Sequence, residues 1–432
     1  MDIKYDTLNV KTMKIKSIHI ENFRGLVDEY VEFNDSMTVL AGGNGGGKSS
    51  LLEAVSIMLS WLPVELSNYT STPLRIKSSD ITFGKKYSRL TMTLTGKRSK
   101  DIRLVLSKRA RRSSKNSDTD MGEAKKFSSD MRVLLDSPEG ANIEIPVFAH
   151  YGTNRNYGGT VSPTPSDTTA RTSIYEHAFS AGTNFQKFAQ WIVATINARE
   201  NEIAEASQLP LKIANKRRDE INRKYSSILA IKRALADFGD IFKDVEVRDG
   251  KLFITSKNIP ASNLSDGEKT VGALIADIAM RMAVANPMMN NPLESEAIVL
   301  IDELDLHLHP DWQTAIADRL PRIFVNAQFI ISSHSPTIMA FSKNLYKIRG
   351  DGGEQRLEKV EGAFGRNPAD VLSSVLNASR EPITAKKIAK MYDFIDRGNY
   401  AGAQKIIDEL NLLIPDDPDV VRAEYLVRAL NS

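Results

Sequence analysis

Residues 14–21 alternate, with Ile15, Ser17 and His19 set against Ile18 and Ile20, which is the period of a half-buried strand. Residues 29–33 and 37–41 predict two further strands, the second leading into a glycine-rich turn. From 49 to 62 the period becomes helical, with Leu51, Leu52, Val55, Met58 and Leu59 on one face. Residues 90–94 and 102–106 alternate again and predict a small antiparallel sheet in the first half. Two stretches carry no period and predict loops: 113–129, polar and charged, and 160–172, rich in Thr, Ser and Pro.

Helical spacing returns over about 175–238. It begins with Phe185, Phe188, Ala189, Ile192 and Ile196 on one face and continues as a charged helix over 213–238. Two helices of this size form a lobe and are too short for a long coiled-coil arm. Strand character reappears at 245–256, and a helix opens at Ser265 and runs to about Ala285. Residues 298–301 and 329–332 are short, wholly apolar runs of the kind that buried parallel strands require. Beyond Gly365 three short amphipathic helices are expected, over 383–396, 400–413 and 420–430, separated by Gly398-Asn399 and by Pro415-Asp416-Asp417-Pro418. A boundary is placed near 365.

Composition narrows the classes. The chain has 432 residues, 41% hydrophobic and 26% charged, as in an ordinary soluble globular protein, and one large unit with a small appendage is expected. A formal charge of +3 gives no global electrostatic argument for nucleic acid or membrane. The absence of cysteine removes disulfides, thiol catalysis and thiolate metal sites together. The first 16 residues have no apolar core of a secretory signal, and no apolar run approaches the ~20 residues of a spanning helix. A cytoplasmic protein without a membrane partner is expected.

Four motifs carry chemistry. Gly42-Gly43-Asn44-Gly45-Gly46-Gly47-Lys48-Ser49 fits the P-loop pattern between a strand and a helix. Its glycines let backbone N–H groups wrap phosphates, the helix start adds its dipole, and Lys48 would neutralise the β- and γ-phosphates. Gly42, Gly43, Asn44, Gly45, Gly46, Gly47, Lys48, Ser49 and Ser50 are therefore the expected ATP contacts, with the Ser49 hydroxyl on Mg²⁺. Asp302-Glu303 ends an apolar strand; Asp302 would hold Mg²⁺ and Glu303 would orient and deprotonate the attacking water. His334 follows the next apolar strand, where it could hydrogen-bond the γ-phosphate. Leu264-Ser265-Asp266-Gly267-Glu268-Lys269 admits two readings. It is an ordinary capping box, and it is also a segment whose Ser265 hydroxyl and Gly267 could meet the γ-phosphate of ATP held by a second subunit.

Taken together the motifs resemble the ABC-type ATPase heads of the RecF, SMC and OLD group. The opening Ile18-His19-Ile20-Glu21-Asn22-Phe23-Arg24-Gly25 is similar to the first strand of those heads, and the resemblance implies that Arg24 lies near the nucleotide. Residues 302–310 (Asp-Glu-Leu-Asp-Leu-His-Leu-His-Pro) and Tyr151-Gly152-Thr153-Asn154-Arg155 resemble segments of stand-alone anti-phage ATPases, with the PtuA family of Septu- and retron-associated defence systems as the nearest likeness. That family implies an α/β P-loop NTPase fold: a head over 1–365 with a mixed sheet and a helical lobe at about 175–240, then a helical module over 366–432. It further implies an ATPase that dimerises or forms a higher homo-oligomer through an ATP sandwich. Its partner would be an HNH nuclease of the PtuB kind, docked on the C-terminal module, and a retron would add a reverse transcriptase and its DNA–RNA product.

Departures from the group's pattern are the Ser-Asp-Gly-Glu-Lys signature and the lack of an evident lid glutamine between P-loop and signature. Gln186 and Gln190 fall in the lobe, which leaves Arg155 as a substitute sensor. His307-x-His309 lacks the further ligands of a zinc site. A basic run at 97–115 (Lys97, Arg98, Lys100, Arg103, Lys108, Arg109, Arg111, Arg112, Lys115) could track nucleic-acid phosphates or be a solvated loop, and Lys216-Arg217-Arg218 with Arg223-Lys224 is a second cluster. No strand-borne acidic cluster follows residue 365, so the chain is not expected to be a nuclease; Asp416, Asp417 and Asp419 read as helix caps. The competing reading is a RecF-like repair ATPase that binds DNA through the basic run.

Overall fold

The computed structural model describes residues 12–43, 45–64, 66, 72–95, 101–110, 118–153, 171–175, 178–179, 185–351, 354–376 and 381–430, with backbone alone at 185–191, 351 and 376. The chain divides into two units, Met1–Val371 and Leu372–Ser432.

The strands of the first unit are β1 (Ile15–Phe23), β2 (Leu26–Glu32), β3 (Met37–Gly42), β4 (Tyr87–Leu94), β5 (Ile102–Arg109) and β6 (Val147–Tyr151), followed by β7 (Val245–Arg248), β8 (Lys251–Ile254) and β9 (Ile259–Pro260). After these come β10 (Ala297–Ile301), β11 (Ala327–Ser333), β12 (Asn344–Asp351) and β13 (Glu354–Val360). Among the described residues β7, β8 and β9 form a separate three-stranded sheet. The other ten strands form one mixed sheet, ordered β5-β4-β1-β2-β13-β12-β3-β11-β10-β6. From β12 to β6 its strands are mutually parallel. β3, β10 and β11 are buried along their whole length, which is why their sequences read as unbroken apolar runs rather than alternating ones. At the other edge β2, β1, β4 and β5 run antiparallel, and β4 shows the one-face-buried alternation. The expected small sheet at 90–106 is therefore the antiparallel margin of the large one.

The helices of this unit are α1 (Lys48–Leu59), α2 (Gly122–Leu135), α3 (Phe185–Ser207), α4 (Leu211–Lys224), α5 (Ser226–Phe238), α6 (Asp266–Ala285), α7 (Pro310–Ile323) and α8 (Pro336–Ala340), and α9 (Pro368–Leu376) spans the division between the units. Two expectations need correction. The stretch 113–129 is not a loop throughout, because α2 begins at Gly122 and buries Ala124, Ser128 and Met131 three to four residues apart; its polar face hid the period. Residues 111–117 and 154–170, which hold the start of the first expected loop and most of the second, lie outside the described residues. Among the described residues the lobe has three helices where two were expected, because the charged helix at 213–238 breaks at Tyr225 into α4 and α5.

α6 starts where the motif places it. Ser265 Oγ accepts from Glu268 N at 3.3 Å while Ser265 N donates to Glu268 Oε2 at 2.9 Å, so both halves of the capping box are made. Its far end is fixed by Asn286, which exchanges two hydrogen bonds with the Ile145 backbone just before β6.

The second unit packs α10 (Pro382–Asp396), α11 (Tyr400–Leu413) and α12 (Pro418–Leu430) around Met391, Ile407, Leu410 and Val420. Asp417 accepts from Asp419 N at 3.0 Å and so caps α12, while Asp419 lies within that helix's first turn. Among the described residues no helix is long and apolar enough to cross a membrane.

Candidate functional site

β3, β11 and β10 are adjacent and parallel, so the residues following each emerge at one edge of the sheet, where α/β proteins place their ligands. Gly42 and Gly43 follow β3, Asp302 and Glu303 follow β10, and His334 follows β11. Three motifs separated by nearly 300 positions thus meet through strand order alone.

The phosphate loop fits only glycine at several places. A Cβ on Gly42, at φ 154°, would stand 2.6 Å from the Ile348 carbonyl, and one on Gly46 would stand 2.9 Å from that of Gly43. Gly45 (φ 74°) and Gly47 (φ 105°) hold left-handed backbone that other residues adopt at a cost. Around Gly43 and Gly45 a Cβ would meet nothing within 4 Å, so the loop is open on that side. α1 starts at Lys48 with no side-chain cap on its first turn, and Ser49 is exposed there. Uncapped N–H groups, a helix start and open space suit a polyphosphate. Asn44 lies outside the described residues, and Ser50 is half-buried on the same turn.

Lys48 is 4% exposed; its ammonium donates to the Gly42 and Gly43 carbonyls at 2.9 and 3.0 Å and lies 2.9 Å from His334 Nε2. Burial lowers its pKa, opposed by the carboxylates of Asp302, Glu303 and Asp305. The loop therefore holds a desolvated cation facing three acids.

Ser332, fully buried at the end of β11, connects the acidic pair. Its hydroxyl donates to Asp302 Oδ1 and accepts from Glu303 N at 2.7 Å. Glu303 sits at φ 48°, a conformation rare outside glycine and asparagine, and the Ser332 bond holds it there. Asp305 accepts from His334 N at 3.1 and 3.3 Å, which ties the segment after β10 to the one after β11. Beneath α1, His150 Nδ1 lies 3.1 Å from Ser56 Oγ. Burial lowers its pKa against the pull of Asp302 and Glu53. Among the described residues no three His, Asp or Glu side chains cluster as metal ligands, so the His307-x-His309 pair gains no support as a zinc site. Ser49 with Asp302 is a sparse oxygen set, which suits Mg²⁺ shared with phosphates.

Ser265 is exposed at the start of α6, and its hydroxyl makes the capping bond. A Cβ on Gly267 would stand 2.7 Å from the His307 carbonyl, so this glycine packs on the segment following the acidic pair. Arg24, at φ 55°, reaches Glu53 of α1 at 2.8 Å and Asp80 at 3.1 Å, and so stands one helical turn from the phosphate loop. Of the basic run, Arg103, Lys108 and Arg109 lie on β5 at the sheet's edge; 96–100 and 111–117 lie outside the described residues. Arg155 and the side chains of Gln186 and Gln190 do too.

Sequence reasoning assigned no role to Ser332, Asp305, His150 or Gln355. Ser332 and Asp305 carried a usable signal, since Ser332 stands two residues before His334 and Asp305 lies within the 302–310 segment. Tyr151 was noticed only by resemblance. It is a buried phenol that donates to Asp277 Oδ2 at 2.7 Å, and the same oxygen accepts from Arg281 Nε at 2.7 Å. Both partners lie on α6, and Tyr151 O accepts from Asp302 N at 2.8 Å.

Residues 37–340 match the family model described as "AAA domain, putative AbiEii toxin, Type IV TA system". The chain is 26% identical to the "Retron Ec83 probable ATPase" of Escherichia coli, over 86% of this chain and 77% of that one. It is 25% identical to the "Retron Vc95 probable ATPase" of Vibrio cholerae serotype O1 biovar El Tor, over 90% and 85%. A shorter stretch, 17% of this chain and 10% of the relative, is 47% identical to the "Septu protein PtuA" of Bacillus mycoides strain KBAB4.

Proposed function

Since the chain belongs to the AAA-domain family that its residues 37–340 match, and is an ATPase, we propose that it drives an anti-phage defence complex as the nucleotide-dependent switch. The observation that carries the reading is the convergence of Lys48, Asp302, Glu303 and His334 at the ends of three adjacent strands. The names of the retron and Septu relatives supply the defence setting.

In this reading the loop from Gly42 to Ser50 wraps the phosphates and Lys48 neutralises them. Ser49 and Asp302 would hold Mg²⁺, which would supply charge compensation at the phosphate oxygens. Glu303, held by Ser332, takes a proton from the attacking water, and His334 bonds the γ-phosphate. Arg24 steadies the nucleotide from the side of Glu53. Ser265 and Gly267 of a second copy complete the site, so that two ATP molecules join two heads and hydrolysis releases them. The module at 366–432 docks an HNH nuclease of the PtuB kind, which the switch regulates, with the reverse transcriptase and its DNA–RNA product as further partners in a retron setting.

Co-purification with the products of the neighbouring genes tests the partner claim: an HNH protein retained by the full chain and lost on deletion of 366–432 supports it, and retention after deletion contradicts it. A RecF-like reading is favoured by Arg103, Lys108 and Arg109 on the edge strand. It predicts salt-dependent DNA binding that charge reversal at Lys108 and Arg109 abolishes.

A further inference from the structure

Gln355, on the hairpin of β12 and β13, presses on the phosphate loop from a place far along the sequence. Its Nε2 donates to the Gly45 carbonyl at 3.0 Å, and its backbone N donates to the Gly25 carbonyl at 2.8 Å. A Cβ on Gly25 would stand 2.5 Å from the Gln355 side chain, and one on Gly47 would overlap its Oε1 outright. Two glycines in two motifs are thus required by one glutamine. The same hairpin supplies the Ile348 carbonyl that excludes a side chain at Gly42.

The peptide joining Gly45 and Gly46 is held at both ends: its carbonyl by Gln355 and its N–H by the Gly43 carbonyl at 3.1 Å. Fixing that plane sets the direction of the neighbouring loop N–H groups. Local stability does not explain the choice of glutamine. Its Oε1 is buried with no hydrogen-bonding partner among the described residues, which costs free energy that a methionine of like volume would not incur.

We propose that Gln355 is a positioning residue of the nucleotide site, holding the phosphate loop in the conformation that receives the β- and γ-phosphates. The inference rests on the ATPase reading of the loop and adds a residue to it.

The test compares wild type with Gln355→Met, which keeps the bulk and removes the donor, and Gln355→Glu, which removes the donor and adds a charge. ATP binding is measured by calorimetry and turnover at saturating Mg²⁺. The expected result for Gln355→Met is an ATP Kd and KM raised about five- to tenfold, a larger change than any in kcat, as for loss of one hydrogen bond that preorganises binding. Gln355→Glu is expected to raise KM further, with an excess that shrinks as salt is added. Wild-type ATP affinity in Gln355→Met, or a fall in kcat and thermal midpoint with KM unchanged, overturns the inference. Failure of the wild type to bind ATP removes the underlying reading as well, so the two failures are told apart by the wild-type arm.

Discussion

Lys48 Nζ lies 2.9 Å from Nε2 of His334, so the tip of the phosphate-loop lysine and the ring following β11 share one hydrogen bond. An ammonium has only donors, so in this contact Lys48 donates and the ring nitrogen accepts. The two residues touch, yet their proposed tasks differ. Lys48→Met is expected to weaken ATP binding by on the order of a hundredfold, since it removes the desolvated charge facing the phosphates. His334→Ala is expected to leave the ATP Kd within about threefold and to lower kcat by on the order of a hundredfold. Calorimetry and single-turnover hydrolysis on both variants separate the two.

Ser332 gives a sharper test of the acidic pair, because its one hydroxyl serves both Asp302 and Glu303. Ser332→Ala removes one hydrogen-bond donor to the buried Asp302 carboxylate and one acceptor that holds Glu303 at its φ of 48°. Each lost bond is worth about 1–3 kcal/mol. The expected outcome is a Mg²⁺ half-saturation raised several-fold together with a kcat lowered at least tenfold, read from metal titrations of the ATPase rate.

These two sites also mark how far the sequence could be read. Lys48, Asp302, Glu303 and His334 were legible because each sits in a short motif after an apolar run, and the parallel strand order then brings the motifs together. The helix opened by Ser265 was legible from its capping box, and the three C-terminal helices from their spacing and turns. Gln355 was not legible, since its role exists only through a hairpin pairing that carries it back against Gly25 and Gly45. α2 was missed because three buried residues in a polar sequence give a weak period. The break at Tyr225 was missed because α4 and α5 are both helical and nothing between them is a glycine or proline.

Tyr151, Asp277 and Arg281 predict a graded loss of stability. Burial and the adjacent Asp277 carboxylate push the Tyr151 phenol well above its usual range, so it stays a neutral donor. Tyr151→Phe removes one bond but leaves Asp277 paired with Arg281, and is expected to cost about 1 kcal/mol. Asp277→Ala leaves a buried guanidinium without its partner and is expected to cost about 3–5 kcal/mol. Denaturant midpoints with unchanged slopes check both values. Equal losses would mean that the phenol, and not the ion pair, anchors α6.

Lys14 predicts a dependence on alkaline pH. Its ammonium, 5% exposed and bonded to the Asn326 carbonyl at 2.6 Å, is pushed down to about 8 by burial, against the opposing pull of Asp35 and Glu296. Below pH 8 the lysine is charged in both folded and unfolded chains, and the folded state bears the whole desolvation cost. Between about 8 and 10.5 the folded chain releases its proton first, so the unfolded state binds more protons and stability rises with pH. Wild type is therefore expected to gain on Lys14→Met as pH is raised from 7.5 to about 10 in urea unfolding. A constant difference would show that the lysine titrates normally.

The central claim is that each ATP is served by the phosphate loop of one head and the Ser265 segment of another. Mixing two inactive variants tests it most directly. Lys48→Ala removes the loop's cation and Ser265→Arg blocks the signature, and neither is expected to hydrolyse ATP alone. In a mixed dimer, one site combines an intact loop from the Ser265→Arg head with an intact signature from the Lys48→Ala head. An equimolar mixture is therefore predicted to recover up to roughly a quarter of wild-type turnover, given random pairing and one good site per mixed dimer. Wild-type turnover by Ser265→Arg alone, or a mixture no more active than its two parents, would contradict the account.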